Sequence, residues 1–319
     1  MPVRQPLELV RQALHDKTLS PQTLAFKMVV QCRRAVQLAT AESITRGYRK
    51  GVDTPSLEWY LGGLWYWFME IAVEDSSRLD FFVDVLVALR ARYNEDTEWI
   101  IWGKTFNWRD LGSQRPLGLV IAEIMHRDFR EPPHDQGQWV DPPWDEKLGE
   151  SILAGDPPPD TPEGRGWARS RARWLNHNIF CARLWALGMF SDPSLPMALI
   201  NMHLEPLSLP EDGWRSRPSR PRNPHELNME AAMTWLRIAG ARMFVCRKTW
   251  DPNDNSKGTA ITVSFGTWRG VCGYHPDRWA YWKGILQALV QGEKGEWRPN
   301  VMEAAKVSLL LLSASEVHG

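Results

Sequence analysis

Hydrophobic and polar residues repeat along most of the chain with the period of an α-helix. Residues 4–16 carry leucine and valine at spacings of three and four, which predicts a short amphipathic helix. Ser20 and Pro21 then supply an N-cap and a first-turn proline, and these start signals predict a second helix that runs to about residue 46. We therefore expect two helices at the start of the chain.

The most apolar helix follows a third start signal, formed by Asp53, Thr54 and Pro55. Residues 56–74 contain the run LEWYLGGLWYWFMEIAV, which is apolar on nearly every side. Because a helix without a polar face has to be buried, we expect this one to be a central element. Residues 78–93 follow with a single apolar face, which predicts an amphipathic helix.

The remainder of the chain also shows mainly helical patterns. A loop is expected around Trp99, Trp102 and Trp108, and a short β-hairpin is expected near residues 259–272, where TAITVSFGTW is rich in β-formers. Further helices are predicted at about residues 116–129, 166–188, 193–207, 225–247 and 276–291, and from Pro299 onward. The pattern as a whole predicts an all-α fold, an irregular bundle of about ten helices.

Two proline-rich stretches interrupt this pattern. Residues 130–165 place proline pairs and triplets among Asp, Glu and Gly, which excludes a long regular element and indicates a surface excursion, a lid or a linker. Residues 210–224 hold four arginines and four prolines. Such a loop can bind phosphate, although arginines between prolines are more often simply solvated. We expect residues 1–319 to form a single helical domain that carries both stretches.

Tryptophan is the outlier of the composition. The chain has eighteen tryptophans and only six tyrosines, and the tryptophans are spread along most of its length. Each indole brings a large apolar surface and one N–H group that needs a partner when it is buried. The tryptophans therefore either fill a helical core or line a pocket for a bulky apolar or planar ligand.

The charge balance narrows the choice of partners. Lysine plus arginine equals aspartate plus glutamate at 38 each. With no net charge, the chain has no long-range field that gathers phosphates, so no nucleic-acid partner is expected. The N-terminus lacks an apolar signal-peptide core, and the most apolar internal run is too short and too polar to span a bilayer. We expect a cytoplasmic protein without a membrane partner.

Signatures of cofactor and metal chemistry are missing from the sequence. There is no glycine-rich phosphate loop, no dinucleotide fingerprint, no nucleophile elbow and no H-E-x-x-H helix. The four cysteines are far apart and none belongs to a C-x-x-C pair. Neither a cofactor nor a bound metal is expected.

Residues 174–188, WLNHNIFCARLWALG, are the most suggestive segment for a site. One helical stripe holds Trp174, His177, Asn178, Cys181 and Trp185. Arg183 lies on a neighbouring stripe. Because unpaired polar groups are costly to bury, these side chains belong either to a structural hydrogen-bond network or to a ligand pocket. Cys181 has no flanking cation and is expected to pack as a small apolar residue.

Other ionisable and aromatic groups lie within apolar helices. Glu123 and His126 are one turn apart and form either a proton-transferring pair or a structural one. Glu70 either reaches solvent near a helix end or is buried, in which case its pKa rises or it pairs with an arginine. Arg278 precedes Trp282 by one turn, which favours a cation–π contact.

Four segments together resemble a known family. Their sequences are WRDLG at 108–112, WLNHNIFCARL at 174–184, AAMTWLRIAG at 231–240 and HPDRWAYWKGIL at 275–286. Their order resembles that of a family of fungal proteins catalogued as a domain of unknown function, over about residues 55–290. The resemblance implies a helical, cytosolic protein. Some members are encoded beside natural-product pathways, which implies an auxiliary cyclase or another tailoring protein, but the family provides no agreed catalytic residues.

Two classes of function are consistent with these observations. The first is a cofactor-independent isomerase or cyclase, including a pericyclase of the Diels–Alder type, that acts on an apolar polyketide or terpenoid. Such chemistry needs a shaped, dry cavity and one or two hydrogen-bond donors at a carbonyl. The second is a non-catalytic helical scaffold or adaptor, or a small-molecule carrier. For the enzyme, the candidate catalytic residues are His177, Arg183 and His126, and the candidate substrate-binding residues are Asn178, Trp174, Trp185, Trp235, Trp282, Trp67 and Glu70.

Overall fold

The structure is a computed structural model that describes a defined part of the chain. The described residues are 4–45, 55–91, 99–101, 104–106, 121, 160, 162–190, 192–208, 225–251, 267–294 and 297–318. Four predicted features lie wholly or mostly outside them, namely the helix at 116–129, the excursion at 130–165, the loop at 210–224 and the hairpin at 259–272.

The described chain is mainly helical, which confirms the all-α prediction. Its first helices are α1 (Arg4–His15), α2 (Pro21–Thr45), α3 (Pro55–Ala72) and α4 (Leu79–Ala91). The later ones are α5 (Pro162–Ala186), α6 (Ser194–His203), α7 (His225–Val245), α8 (Pro276–Val290) and α9 (Pro299–His318). Short 3-10 turns cover Ser76–Arg78 and Glu205–Ser208. None of the helices in these ranges is both long and apolar enough to cross a membrane.

The chain divides into two compact units. Unit 1 comprises Met1–Met125 with Leu187–Ser191, and unit 2 comprises His126–Ala186 with Asp192–Gly319. The expectation of a single domain over residues 1–319 stays a prediction, and each unit is described by itself.

Unit 1 packs α1 against α2 and α3, and α2 against α4. The predicted start signal of α2 is confirmed, because Ser20 Oγ accepts a hydrogen bond from Thr23 N at 3.2 Å. The predicted apolar face of α4 is also confirmed, with Phe82 among its fully buried residues. The ring of Phe68 on α3 meets Phe82 edge to face, with 5.6 Å between the centroids. The core of this unit is therefore aromatic as well as aliphatic.

The loop expected around Trp99 was wrong in part. Residues Trp99–Ile101 (β1) pair antiparallel with Lys104–Phe106 (β2), and Trp99 lies opposite Phe106. Aromatic and β-branched residues favour a pleated strand, and here they occur on both sides of a two-residue connection. The spacing of the tryptophans does not show this local β preference.

Unit 2 is built around α7, which packs against α5, α6 and α9. Small residues on α7 make close approach of its neighbours possible. Ala231, Ala232 and Ala239 are buried, and a Cβ at Gly240 would lie 3.7 Å from Leu312 of α9 and 3.7 Å from Trp279 of α8. Helix α8 packs against α9, and the Glu205–Ser208 turn packs against α6.

The helix boundaries in unit 2 differ from the expected ones at two points. Helix α5 begins at Pro162, four residues before the expected start at 166, since proline is well suited to the first helical position. The helix expected over residues 193–207 ends at His203 and continues as the 3-10 turn Glu205–Ser208. That turn is important for the site described below.

Gly273 has a backbone conformation that an L-residue rarely adopts. Its φ is +139°, and it forms an isolated antiparallel bridge with Thr249. A Cβ at this position would lie 2.7 Å from Thr249 Cα and would also collide with the carbonyl oxygen of Lys248. Only glycine therefore allows the segment before α8 to approach the segment after α7.

We expect Gly273→Ala to lower the free energy of unfolding by about 2 kcal/mol or more, from backbone strain and the collision. Gly284→Ala is the matched control, because Gly284 is exposed on α8 with open space at its Cβ position. That change should raise stability by up to about 1 kcal/mol through helix propensity. Urea denaturation followed by circular dichroism measures both, and equal midpoints for the two variants would contradict the prediction.

Candidate functional site

A buried ion pair joins the 3-10 turn after α6 to the first turn of α8. Arg278 Nε donates to Glu205 Oε1 at 2.7 Å, and the two side chains are 2% and 0% exposed. Charges removed from water are tolerated only when they are paired and hydrogen-bonded. The pair therefore fixes two segments that lie 73 residues apart in the sequence.

The Glu205 carboxylate has further donors. Its Oε1 also accepts from the indole Nε1 of Trp282 at 2.8 Å, and its Oε2 accepts from the backbone N of Trp268 at 3.4 Å. Both carboxylate oxygens are thus occupied inside the protein. This arrangement holds the Trp282 ring in a fixed orientation.

The Arg278 guanidinium is satisfied in the same way. Its Nη2 donates to Asn201 Oδ1 at 2.5 Å, and its Nη1 lies 3.5 Å from the backbone oxygen of Gly273. Its carbon lies 5.8 Å from the centroid of the Trp282 ring, which confirms the predicted cation–π contact. The ion pair consequently connects α6, the segment before α8, and α8 itself.

Three half-buried hydroxyl groups lie beside the ion pair. Thr267 Oγ1 donates to the backbone oxygen of Glu205 at 2.7 Å. Tyr281 OH lies 2.6 Å from Thr267 Oγ1 and 2.7 Å from Ser208 Oγ. These contacts hold the backbone of the turn that carries Glu205, so they support the ion pair.

An aromatic cleft lies between the end of α7 and the start of α8. It is shallow, because its cavity volume is about 10 Å³ and the surrounding empty space of about 220 Å³ includes open solvent. Its walls are formed by Met243, Phe244, Tyr274, Pro276, Trp279 and Trp282. A cleft of this composition suits an apolar ring.

The rings of the cleft are held against one another. Phe244 and Trp279 have centroids 5.2 Å apart, and Trp279 and Trp282 have centroids 6.0 Å apart. Tyr274 meets Trp282 edge to face at 6.5 Å. Trp282 thus lines the cleft with its ring while its N–H group binds the buried Glu205.

Tyr274 is a neutral hydroxyl donor. Burial raises the pKa of Tyr274 well above its ordinary value, and its OH donates to the backbone oxygen of Pro193 at 2.8 Å. The hydroxyl is therefore protonated near neutral pH and already engaged in the protein. Its aromatic ring is the part that contributes to the cleft.

Two polar residues, Arg247 and His275, complete the lining. His275 is the N-cap of α8, and its Nδ1 accepts a hydrogen bond from Asp277 N at 3.2 Å. This contact assigns the proton of the neutral imidazole to Nε2. Arg247 Nη1 donates to the backbone oxygens of Phe244 and Cys246 at the end of α7. His275 Nε2 and the other nitrogens of Arg247 remain as donors.

Asn178 belongs to a hydrogen-bond network inside unit 2. Its Nδ2 donates to the backbone oxygen of Trp174 at 2.9 Å, and its Oδ1 accepts from Trp235 Nε1 at 3.0 Å. Both Asn178 and Trp235 are fully buried. The contacts of Asn178 are those of a structural hydrogen-bond network. Substrate binding by Asn178 and Trp235 stays a prediction.

The other predicted tryptophans of unit 2 are also buried. Trp174 packs with Leu227 and Ala231 of α7. Trp185 stacks on Tyr274 with centroids 6.5 Å apart, and the Arg242 guanidinium lies 4.3 Å from the Trp185 ring centroid. Of the tryptophans proposed from the sequence, Trp282 is the one that lines the aromatic cleft.

Two of the three predicted catalytic residues, His177 and Arg183, do not line this cleft. His177 is buried and Arg183 is half-buried on α5. Their catalytic role stays a prediction. His126 and its neighbour Glu123 lie outside the described residues.

Trp67 and Glu70 belong to α3 of unit 1. Trp67 is half-buried and meets Tyr66 edge to face at 5.0 Å. Glu70 is 4% exposed, so the alternative in which it reaches solvent was wrong, because α3 is buried as far as its last turn. Their role in substrate binding stays a prediction.

The cysteines differ in accessibility. Cys32 and Cys181 are buried, whereas Cys246 and Cys272 are partly exposed, and all four are reduced. Burial raises the pKa of Cys181 far above its ordinary value, which agrees with its predicted apolar role. Burial also raises the pKa of Cys272, although the Arg278 charge opposes this. Within the described ranges, no three His, Cys, Asp or Glu side chains are placed to hold a metal ion.

Iodoacetamide should modify Cys246 and Cys272 in the native protein and leave Cys32 and Cys181 unmodified, because the reactive species is an accessible thiolate. Since the pKa of Cys272 is raised, its modification should still accelerate at pH values where a free thiol is fully ionised. Peptide mass spectrometry measures each site, with the urea-denatured protein as the control. Native modification of Cys181 at the rate of Cys246 would show that α5 is not packed as described.

Glu205→Gln should lower the free energy of unfolding by about 3–5 kcal/mol, because it leaves the Arg278 charge buried without its counter-ion. Glu316→Gln makes the same chemical change at the more exposed pair Lys283–Glu316, where Nζ and Oε2 are 2.6 Å apart, and should cost at most about 1 kcal/mol. Urea midpoints compare the two. A Glu205→Gln variant as stable as Glu316→Gln would overturn the organising role of the ion pair.

A comparison with protein families gives one match over most of the chain. A model of the family described as "Protein of unknown function (DUF3632)" matches residues 65–286. This range includes the buried ion pair and the aromatic cleft. No curated protein and no solved structure gives a significant match.

Proposed function

The chain belongs to this family of unknown function, and on that premise we propose that it binds a ring-bearing apolar small molecule in the aromatic cleft and rearranges it without a cofactor, as an isomerase or cyclase. The substrate class is a polyketide or terpenoid. This proposal includes the fungal natural-product setting and the cytoplasmic location implied by the resemblance.

The observation that carries the proposal is the composition of the cleft. Four aromatic rings form its walls, and among the described residues of its lining the ionisable side chains besides the neutral Tyr274 are Arg247 and His275. Small-molecule sites commonly combine a mostly apolar lining with a few placed polar groups. The ring geometry is fixed from behind, because Trp282 is bound to the buried Glu205.

The two polar residues supply what such a reaction needs. A carbonyl oxygen of the substrate gains negative charge as bonds shift, and an N–H donor beside it lowers the barrier. His275 Nε2 and Arg247 are suited to this role because the contacts of His275 use Nδ1 and those of Arg247 use Nη1. An isomerisation or a pericyclic ring closure redistributes bonds within one molecule, so no atom enters or leaves.

A carrier is the second candidate, and the opening of the cleft to solvent favours it. A carrier needs to cover one ring and release it, whereas a cyclase has to exclude water and hold a reactive conformer. Both functions require binding at the same rings. Turnover separates them.

The first test is a titration of intrinsic tryptophan fluorescence with ring-bearing polyketide and terpenoid intermediates, followed by chromatography of each binder. Saturable quenching with a new isomeric product is the expected result. Saturable quenching with an unchanged ligand would replace the enzyme with the carrier. An absence of quenching across the panel would overturn both and favour a scaffold.

A pair of phenylalanine variants locates the site. Phe244→Ala removes a ring of the cleft and should raise the Kd of any binder about tenfold, which corresponds to about 1.4 kcal/mol. Phe26→Ala is the control, because Phe26 is a half-exposed phenylalanine of α2 in unit 1. An unchanged Kd in Phe244→Ala would show that binding occurs elsewhere.

A further inference from the structure

The aromatic cleft has an unbalanced charge at its edge, and this points to the kind of ligand it takes. We propose that the ligand carries an acidic group, a carboxylate or a ring-conjugated enolate, and that the Arg247 guanidinium receives it. This inference rests on the proposed function, because it assumes that the apolar part of the ligand occupies the cleft.

Arg247 and Lys248 form an adjacent pair of exposed cations. Arg247 donates to two backbone oxygens and lies 5.9 Å from the Phe244 ring centroid. Across the part of the chain that the structure describes, neither cation forms an ion pair with a carboxylate. The protein as a whole has equal numbers of acidic and basic residues, so two neighbouring unpaired cations are a local excess of positive charge.

The fixed contacts of Arg247 leave its guanidinium able to bind an anion. Both backbone contacts use Nη1, so Nη2 and Nε have no partner among the residues that the structure describes. A guanidinium presents its donors in a planar fork that matches a carboxylate. Because Nη1 is bound to the end of α7, the position of this fork is set before a ligand arrives.

Two acidic groups near the cleft, Asp277 and Glu205, do not neutralise the charge of Arg247. Asp277 is 76% exposed, and its Oδ2 lies 3.5 Å from Nδ1 of His275 rather than at Arg247. Glu205, behind the Trp282 ring, is paired with Arg278. The N-terminus of α8 adds its own positive dipole on the same side of the cleft. Of the described residues that line the cleft, Arg247 is the one with a permanent charge, so the lining itself is net positive.

This arrangement predicts a preference for an anionic ring over a neutral ring of the same shape. The preference should be about tenfold in Kd at low salt, since Arg247 is exposed and an exposed charge is partly screened. It should shrink as salt is added. Binding of the ring itself should not depend on salt.

The test uses two fluorescent probes with the same anilinonaphthalene ring system, 8-anilinonaphthalene-1-sulfonate and neutral N-phenyl-1-naphthylamine. The sulfonate stands in for the acidic group. We expect the full chain to bind the anionic probe about tenfold more tightly at 20 mM NaCl. Arg247→Gln should weaken the anionic probe about tenfold and leave the neutral probe unchanged.

Two further variants separate charge from structure. Arg247→Lys keeps the charge but not the planar fork, so it should retain part of the preference. An Arg247→Gln variant that weakens both probes equally would indicate that Arg247 acts through the end of α7 and would overturn the proposal. Arg237→Gln removes an exposed arginine from α7, the helix that precedes Arg247, and should change neither probe.

The outcomes distinguish this inference from the proposed function. If both probes bind equally and Phe244→Ala weakens both, the cleft is the site but the ligand is not selected by charge, so this inference fails alone. If Phe244→Ala changes neither probe, the cleft is not the site and both proposals fail. A preference that Arg237→Gln abolishes as fully as Arg247→Gln would also overturn the assignment to Arg247.

Discussion

The buried pair between Glu205 and Arg278 is the interaction on which the rest of unit 2 depends. Two charges with almost no exposed surface cannot remain there unless their hydrogen bonds are made, and here they are made by Asn201, Trp282 and backbone groups. The same requirement fixes the 3-10 turn after α6, the segment before α8 and the first turns of α8. Small residues and helix packing alone do not fix the positions of these three segments.

The ion pair also explains why the aromatic cleft has a stable shape. Trp282 contributes its ring to the cleft and its N–H group to Glu205, so the back of the cleft is anchored in the core. Gly273 lets the chain pass close to Lys248 and Thr249, which brings Tyr274 and His275 beside the end of α7. A rigid aromatic surface with donors at its edge follows from these constraints, and it is the arrangement on which both proposals are based.

The number of tryptophans in the sequence does not show which of them fill the core and which line a cleft. Trp174, Trp185 and Trp235 are core residues, and Asn178 serves Trp235 within the protein. The helical stripe on α5 was predicted correctly, yet a stripe does not show whether it faces a neighbouring helix or a cavity. No pattern in the sequence indicates Glu205 or Asn201 as site residues. An acid between leucine and proline near a helix end resembles a loop residue, and its partner is 73 positions away.

The sequence by itself determined the all-α class, most helix ranges and the N-cap at Ser20. These features follow from side-chain periodicity and from residues that start helices, which are local properties. The tertiary structure alone decided that Glu205 meets Arg278, that Trp282 rather than Trp235 lines a cleft, and that Arg247 stands without a carboxylate in the described chain. These features depend on which distant segments come together, and the energy of burying a charge or a ring is defined only once its neighbours are in place.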